Sequence, residues 1–288
     1  MTVIFRKELR QYFSSVRSFA IMAILLLFCG LYTAFQNLLF GSPNFSISLT
    51  GCFPALVLTL PLLCMHLFSR ERKLGTEGFF YALALRPMDV VVGKFLAAFV
   101  VFLLPMLACA ILPLLLSFFG SVNLVDAYFA WLGFLLLGAS LLSIAIFLSA
   151  LPKTTLLAWG FSTIGVGGLY VLQILLTSLP LAPWFSFAVI EAILLCACLL
   201  MWLCIGSRLA ACIALVFPVA NAILFVALPR AFLALFPRIL SNINPFSRYA
   251  GFVYGRFDLL GILFFLSVTA FFLFCAVLVQ ICRRDEGV

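Results

Sequence analysis

Apolar residues in this chain fall into long, nearly unbroken runs, and polar residues are confined to short gaps between them. A bilayer's hydrocarbon layer is roughly 30 Å thick and a helix rises about 1.5 Å per residue, so one crossing needs about 20 apolar residues. Eight runs meet that length: Ser18 to Phe40, Leu49 to Ser69, Phe95 to Phe119, Ala127 to Leu151, Leu156 to Ser178, Trp184 to Ile205, Leu209 to Pro229 and Leu259 to Cys282. The pattern predicts an all-α integral membrane protein, one transmembrane domain over residues 1–288, with no stretch left for a soluble domain of any size. The first run carries no small-x-small cleavage site before its polar end and is expected to stay in the protein.

The gaps carry patterns of their own. Ahead of the first run, Phe5, Leu9, Tyr12, Phe13 and Val16 recur at i, i+4, i+7, i+8 and i+11, with Arg6, Lys7 and Arg10 on the other side. Residues 1–17 are therefore expected to form an amphipathic elbow helix in the inner interface; an ordinary positive flank is the simpler alternative. Between the last two runs, Phe232, Phe236, Ile239, Leu240 and Ile243 show the same spacing within the 230–258 loop. That loop is read as an amphipathic or re-entrant outer segment, or a folded lid, whose Arg230, Arg238, Arg248 and Arg256 meet lipid headgroups or an anionic substrate. Gly41 to Thr50 is uncharged and reads as a short outer connection. Inside the runs, Pro54 and Pro61 predict a kinked second crossing, and Pro105 and Pro113 interrupt the third. Gly160, Gly165, Gly167 and Gly168 in the fifth allow close approach of a helix from this chain or from a second copy.

The one long polar passage near the start is RERKLGTEGFFYALALRPMDVVVGK, Arg70 to Lys94. Thr76 is placed to cap a short helix opened by Glu77, Pro87 to end it, and Asp89 to cap the next helix. Lys94 is expected to extend its ammonium back to the membrane surface. The product is a short helix across the mouth of the bundle, preceded by the exposed cluster Arg70, Glu71, Arg72 and Lys73.

Composition changes the picture little: 66% hydrophobic and 9% charged residues with a mean hydropathy of +1.31 exclude a soluble globular domain. The net charge of +8 raises the question of nucleic acid, but thirteen of the seventeen Lys and Arg fall on one side of the eight-crossing scheme. That is the positive-inside pattern; it places both termini in the cytoplasm and argues against a nucleic-acid partner. The ten cysteines show no C-x-x-C and no histidine at ligand spacing, so they are read as small hydrophobes, without disulfides or a metal. His66, the single histidine, lies near the inner end of the second run, within reach of headgroups or water. Glu191 is the one acidic residue well inside a predicted crossing. It marks either a transport path or a carboxyl near the dimer interior or outer headgroups. Gly93-Lys94 is followed by Phe95 and preceded by no glycine at P-loop spacing, so this chain is not expected to hydrolyse ATP.

FSRERKLGTEGFFYALALRPMDVVVGKFLAAF resembles the segment between the second and third membrane helices of type-2 ABC transporter permeases of the gliding-motility-permease-like group. That group shows E-R-x-x-G-T-x-x-x-L-L, a proline and G-K-[FY]-L there. KELRQYFSS resembles the family's N-terminal helix, and the stretch from LFPRILSNINPFSRYAGF through VLVQICRR, ending at Arg284, resembles its closing loop and last crossing. The sequence departs from the family at His66, where relatives often carry arginine, at the aromatic run Gly78-Phe79-Phe80-Tyr81, and in the sixth and seventh runs, an extra hairpin over the commoner six crossings. The resemblance implies a permease subunit, an exporter in the plasma membrane, in a bacterium the inner membrane, paired with a second permease chain as homodimer or heterodimer. It implies a separate ABC ATP-binding subunit that binds ATP and magnesium and grips a cytoplasmic coupling helix in the 70–94 loop. The contact residues would be Glu71, Arg72, Gly75, Thr76 and Glu77. A charged connector, a secondary transporter and a non-transporting membrane scaffold are the alternatives. The first would only anchor two helices; the second would normally show internal repeats and several midplane ionisable groups. An intramembrane protease would need paired aspartates, Ser-His or H-E-x-x-H within the runs, which the sequence does not supply.

Overall fold

The computed structural model describes residues 2–69, 86–119, 122–152, 154–178, 187, 191, 195, 221, 225, 238, 240–253 and 258–286. Contacts group the chain into two compact units, Met1–Tyr170 with Tyr249–Val288, and Val171–Arg248. Regular structure among the described residues is helical: α1 (Thr2–Phe13), α2 (Val16–Thr33, continued by a π-helical turn Ala34–Leu39), α3 (Phe45–Gly51), α4 (Phe53–Cys64), α5 (Pro87–Cys109), α6 (Leu112–Ser117), α7 (Leu124–Ala150), α8 (Thr155–Ser178), α9 (Pro245–Arg248), α10 (Ala250–Val253) and α11 (Leu259–Glu286).

Among the described residues, five helical spans are long and apolar enough to cross a membrane, or six when α3 and α4, bent by 49°, count as one broken span. They correspond to the first five and the last of the eight apolar runs. The other two, Trp184 to Ile205 and Leu209 to Pro229, lie almost wholly outside the described residues. The expected kink of the second crossing is present, but it falls at Cys52, ahead of Pro54 in the first turn of α4, while Pro61 sits inside that helix. A proline in the first turn has no amide to lose, so the helix restarts there at little cost.

Two boundary expectations are corrected. Gly41 to Thr50 is not all connection, because α3 begins at Phe45. Its polar residues are absorbed by pairing: Ser48 Oγ donates to Asn37 Oδ1 at 2.6 Å, and Asn37 Nδ2 donates to Ser42 O at 2.8 Å. Asp89 does not cap the third crossing either. The helix starts at Pro87, with Arg86 in extended conformation at the cap position and Asp89 in the first turn, where its charge still favours the helix dipole.

In the larger unit α7 is the axis, with α4, α5 and α11 packed on it. It is apolar on every side, as a helix surrounded by others must be, and Ala130, Phe134, Leu137, Leu141 and Leu142 are fully buried. Its serines spend their hydroxyls locally: Ser140 donates to Leu137 O, Ser143 to Ser140 O and Ser149 to Ile146 O. Ser162 on α8 donates across to Ala145 O at 3.0 Å. Near the end of α5, Trp131 Nε1 donates to Met106 O, which also accepts the Ala110 amide, and the Tyr128 hydroxyl donates to Ala110 O.

Just before α11 the chain turns into this core. Tyr249 is buried, donates to Ala130 O at 3.2 Å and meets Phe53 and Phe134 edge-on at 5.4 and 6.2 Å. Phe252 is wholly buried over Gly133, where a Cβ would collide with its ring. The stripe expected for that loop is only partly visible: Leu240 is half-buried and Ile243 is exposed, while Phe232, Phe236 and Ile239 lie outside the described residues. Arg238 is exposed, Arg248 donates to Asn242 O at 3.3 Å, and Arg230 and Arg256 lie outside the described residues.

Of the four glycines in the fifth run, Gly165 alone makes a tight approach, against Leu148 of α7 in the same chain; Gly160 and Gly168 face open space. Midway along α7, Gly138 is packed as closely, and a Cβ there would overlap the Phe102 ring. Gly138→Val is therefore expected to cost roughly 1–3 kcal/mol by overpacking, and Gly160→Ala, which meets nothing within 4 Å, to leave stability unchanged. Thermal unfolding of the two variants in detergent checks this; equal midpoints would contradict the packing assignment.

Candidate functional site

Lys94 lies two turns into α5 and is completely buried, 0% exposed. The expectation that its ammonium reaches back to the surface is overturned. Its Nζ sits 3.2 Å from Glu8 Oε1 on α1, donates to the backbone carbonyl of Leu67, and lies 5.1 Å from the centre of the Phe68 ring. A carboxylate, a carbonyl and an aromatic face replace the water that snorkelling would have sought. Glu8 is 5% exposed and has Lys7 at 3.8 Å as a second cation.

This pair also explains why α1 docks by an unexpected face. Ile4 and Glu8 are buried; Phe5, Leu9 and Tyr12 are half-buried, and Phe13 and Val16 are exposed. The sequence pattern centred the packed stripe on the aromatic residues. The counter-ion that Lys94 requires rotates the helix so that the glutamate faces α5.

Two further polar contacts join the same segments. The Tyr12 hydroxyl donates to Leu63 O at 3.0 Å, and the Arg17 guanidinium donates to His66 Nε2 at 2.6 Å. Past Cys64 the helical ladder loosens, since the Leu67 amide bonds Cys64 O in a tight turn, and so Leu63 O is left for the phenol. Burial first, then Cys64 and Glu8, pushes the Tyr12 phenol well above its ordinary value, so it remains a donor at ordinary pH. Residues 63–67 are thus held to the N-terminal segment at three successive points.

Between these segments opens a cavity of about 600 Å³. Glu8, Gln11 and Tyr12 of α1 line it together with the starts of α2 and α8 and the end of α4. His66 was expected at headgroups or water; it lines this cavity with Arg17.

The residues expected to contact an ATPase, Glu71, Arg72, Gly75, Thr76 and Glu77, lie outside the described residues. In the smaller unit, Glu191 is half-buried and its Oε2 accepts from Asn221 Nδ2 at 2.9 Å. The six described cysteines are free thiols, and among the described residues no three His, Cys, Asp or Glu side chains gather to hold a metal. Sequence reasoning missed Glu8 and with it the pair. The available signal was Lys94 itself, a lysine embedded between VVVG and FLAAF, which calls for a carboxylate somewhere on a neighbouring element.

Removing one member of a buried pair strands the other, at about 3–5 kcal/mol, whereas replacing both with apolar residues is close to neutral. Lys94→Met and Glu8→Leu are each expected to lower the unfolding midpoint sharply, and the double variant to recover most of the loss. Midpoints measured for all four proteins form the test: simple additivity would show that the two side chains are not coupled.

Comparison with protein families, curated proteins and solved structures found no match, so the reading of this site rests on its own residues.

Proposed function

We propose that this chain is the membrane-spanning subunit of an ATP-binding-cassette exporter, pairing with a second permease chain and driven by a separate ATPase that engages the 70–94 loop. The resemblance of that loop to type-2 ABC permeases supports the reading, as does an all-helical bundle with five or six spans long and apolar enough to cross a membrane. One observation carries most weight. The Lys94 ammonium ties Leu67, just ahead of the loop, to Glu8 on α1, while Lys94 itself lies at the loop's far end.

A force applied to the loop by a partner would thereby reach the second crossing, the third crossing and the N-terminal helix together. In this reading Glu71, Arg72, Gly75, Thr76 and Glu77 form the contact, and the partner holds ATP and magnesium. Glu191, fixed by Asn221, is the residue we assign to the transport path. A secondary transporter or a scaffold has no need of a loop so joined to both neighbouring crossings.

With an ABC ATPase encoded beside it co-expressed, Glu71→Ala/Glu77→Ala is expected to reduce recovery of the ATPase with the membrane protein and to lower its stimulated ATP turnover. Unchanged recovery together with unchanged turnover would remove the coupling role from this loop.

A further inference from the structure

We propose that the cavity between α1, α2 and α4 is a binding site for one anionic membrane phospholipid, its phosphate at Arg17 and an acyl chain running inward between α2 and α4. The inference does not rest on the transporter reading. Three observations point to it.

The first is a gradient of polarity along both walls. On α2 the lining passes from Ser15, Arg17 and Ser18 at the helix start to Ile21 and Ile24 two turns further on. On the opposite wall His66 is the polar residue, flanked by Met65 and Leu67, and Leu63 and Leu62 follow in the same direction, because α4 ends at Cys64 where α2 begins. Both walls are apolar toward the interior of the spans and carry their polar groups at the end. This is the arrangement that suits an amphiphile rather than a soluble anion.

The second is the state of Arg17. Guanidinium can only donate, so His66 Nε2 at 2.6 Å must accept, which makes the imidazole neutral with its proton on Nδ1. The bond spends one of five donors and, the ring being neutral, supplies no negative charge to the guanidinium. Among the described residues no carboxylate lies within ion-pair distance of Arg17, and the carboxylate that lines the cavity, Glu8, is held by Lys94 and Lys7. A phosphate accepts two of the remaining donors side by side, and Ser15, Ser18 and Thr155 also line the cavity.

The third is position and size. Arg17 is the second residue of a span that starts at Val16, which sets it at headgroup depth. A volume of about 600 Å³ falls in the range of small-molecule sites.

The full-length protein, reconstituted in nanodiscs of phosphatidylcholine with or without phosphatidylglycerol, supplies the test, with retained lipid counted by native mass spectrometry and the unfolding midpoint measured alongside. The wild type is expected to retain phosphatidylglycerol selectively and to unfold later in its presence. Arg17→Gln should weaken retention about tenfold, the loss of a charge-assisted contact. Arg17→Lys should keep part of it, and Arg10→Gln, on the exposed side of α1, should keep all of it. Ile24→Trp, which fills the apolar wall without touching Arg17, should also lose retention, and it serves with Arg17→Lys if Arg17→Gln does not fold. Retention unchanged in both Arg17→Gln and Ile24→Trp overturns the site. Protection by inorganic phosphate alone, undiminished by Ile24→Trp, identifies a free-phosphate site and overturns the lipid assignment.

Discussion

Burying an ammonium is the constraint around which one end of this molecule is built. Water solvates a lysine so strongly that the group enters a protein interior only when ligands wait for it, and Lys94 finds three of them on two other segments: Glu8 of α1, and the Leu67 carbonyl and Phe68 ring just past α4. Each of these has to be delivered to within hydrogen-bonding distance at once. The rotation of α1 about its axis, the loosened turn after Cys64 and the start of α5 at Pro87 all serve that delivery. Tyr12 and Arg17 then extend the same seam, and the cavity is the space left beside it.

The rest of the larger unit obeys a different rule. Among apolar helices there is no gain from excluding lipid, so tight packing and satisfied hydroxyls hold the elements together. Glycines at 133, 138 and 165 admit Phe252, Phe102 and Leu148 at distances a Cβ would forbid, and Ser140, Ser143 and Ser149 of α7 donate to carbonyls of their own helix. Tyr249 brings the segment before the last helix into this core by one hydrogen bond and two ring contacts. A closely packed interior around α7 and a polar seam at the basic end give the larger unit one part held by packing and one that links several helices through a few groups.

Hydrophobic patterning was enough to determine the class and most of the helices. Runs of some 20 apolar residues admit almost no alternative to a spanning helix, and six of them correspond to apolar spans within a residue or a few turns of their sequence limits. A break in the second crossing was likewise legible from Pro54, since proline suits the first turn of a helix and so marks where one can restart. Only the tertiary structure decided which face of α1 is buried, where Lys94 points, that Arg17 bonds His66, and which glycines are in contact. The reason is that such features depend on pairs of residues distant in sequence. Glu8 and Lys94 are separated by 86 positions, and no periodicity on either segment records that the other exists.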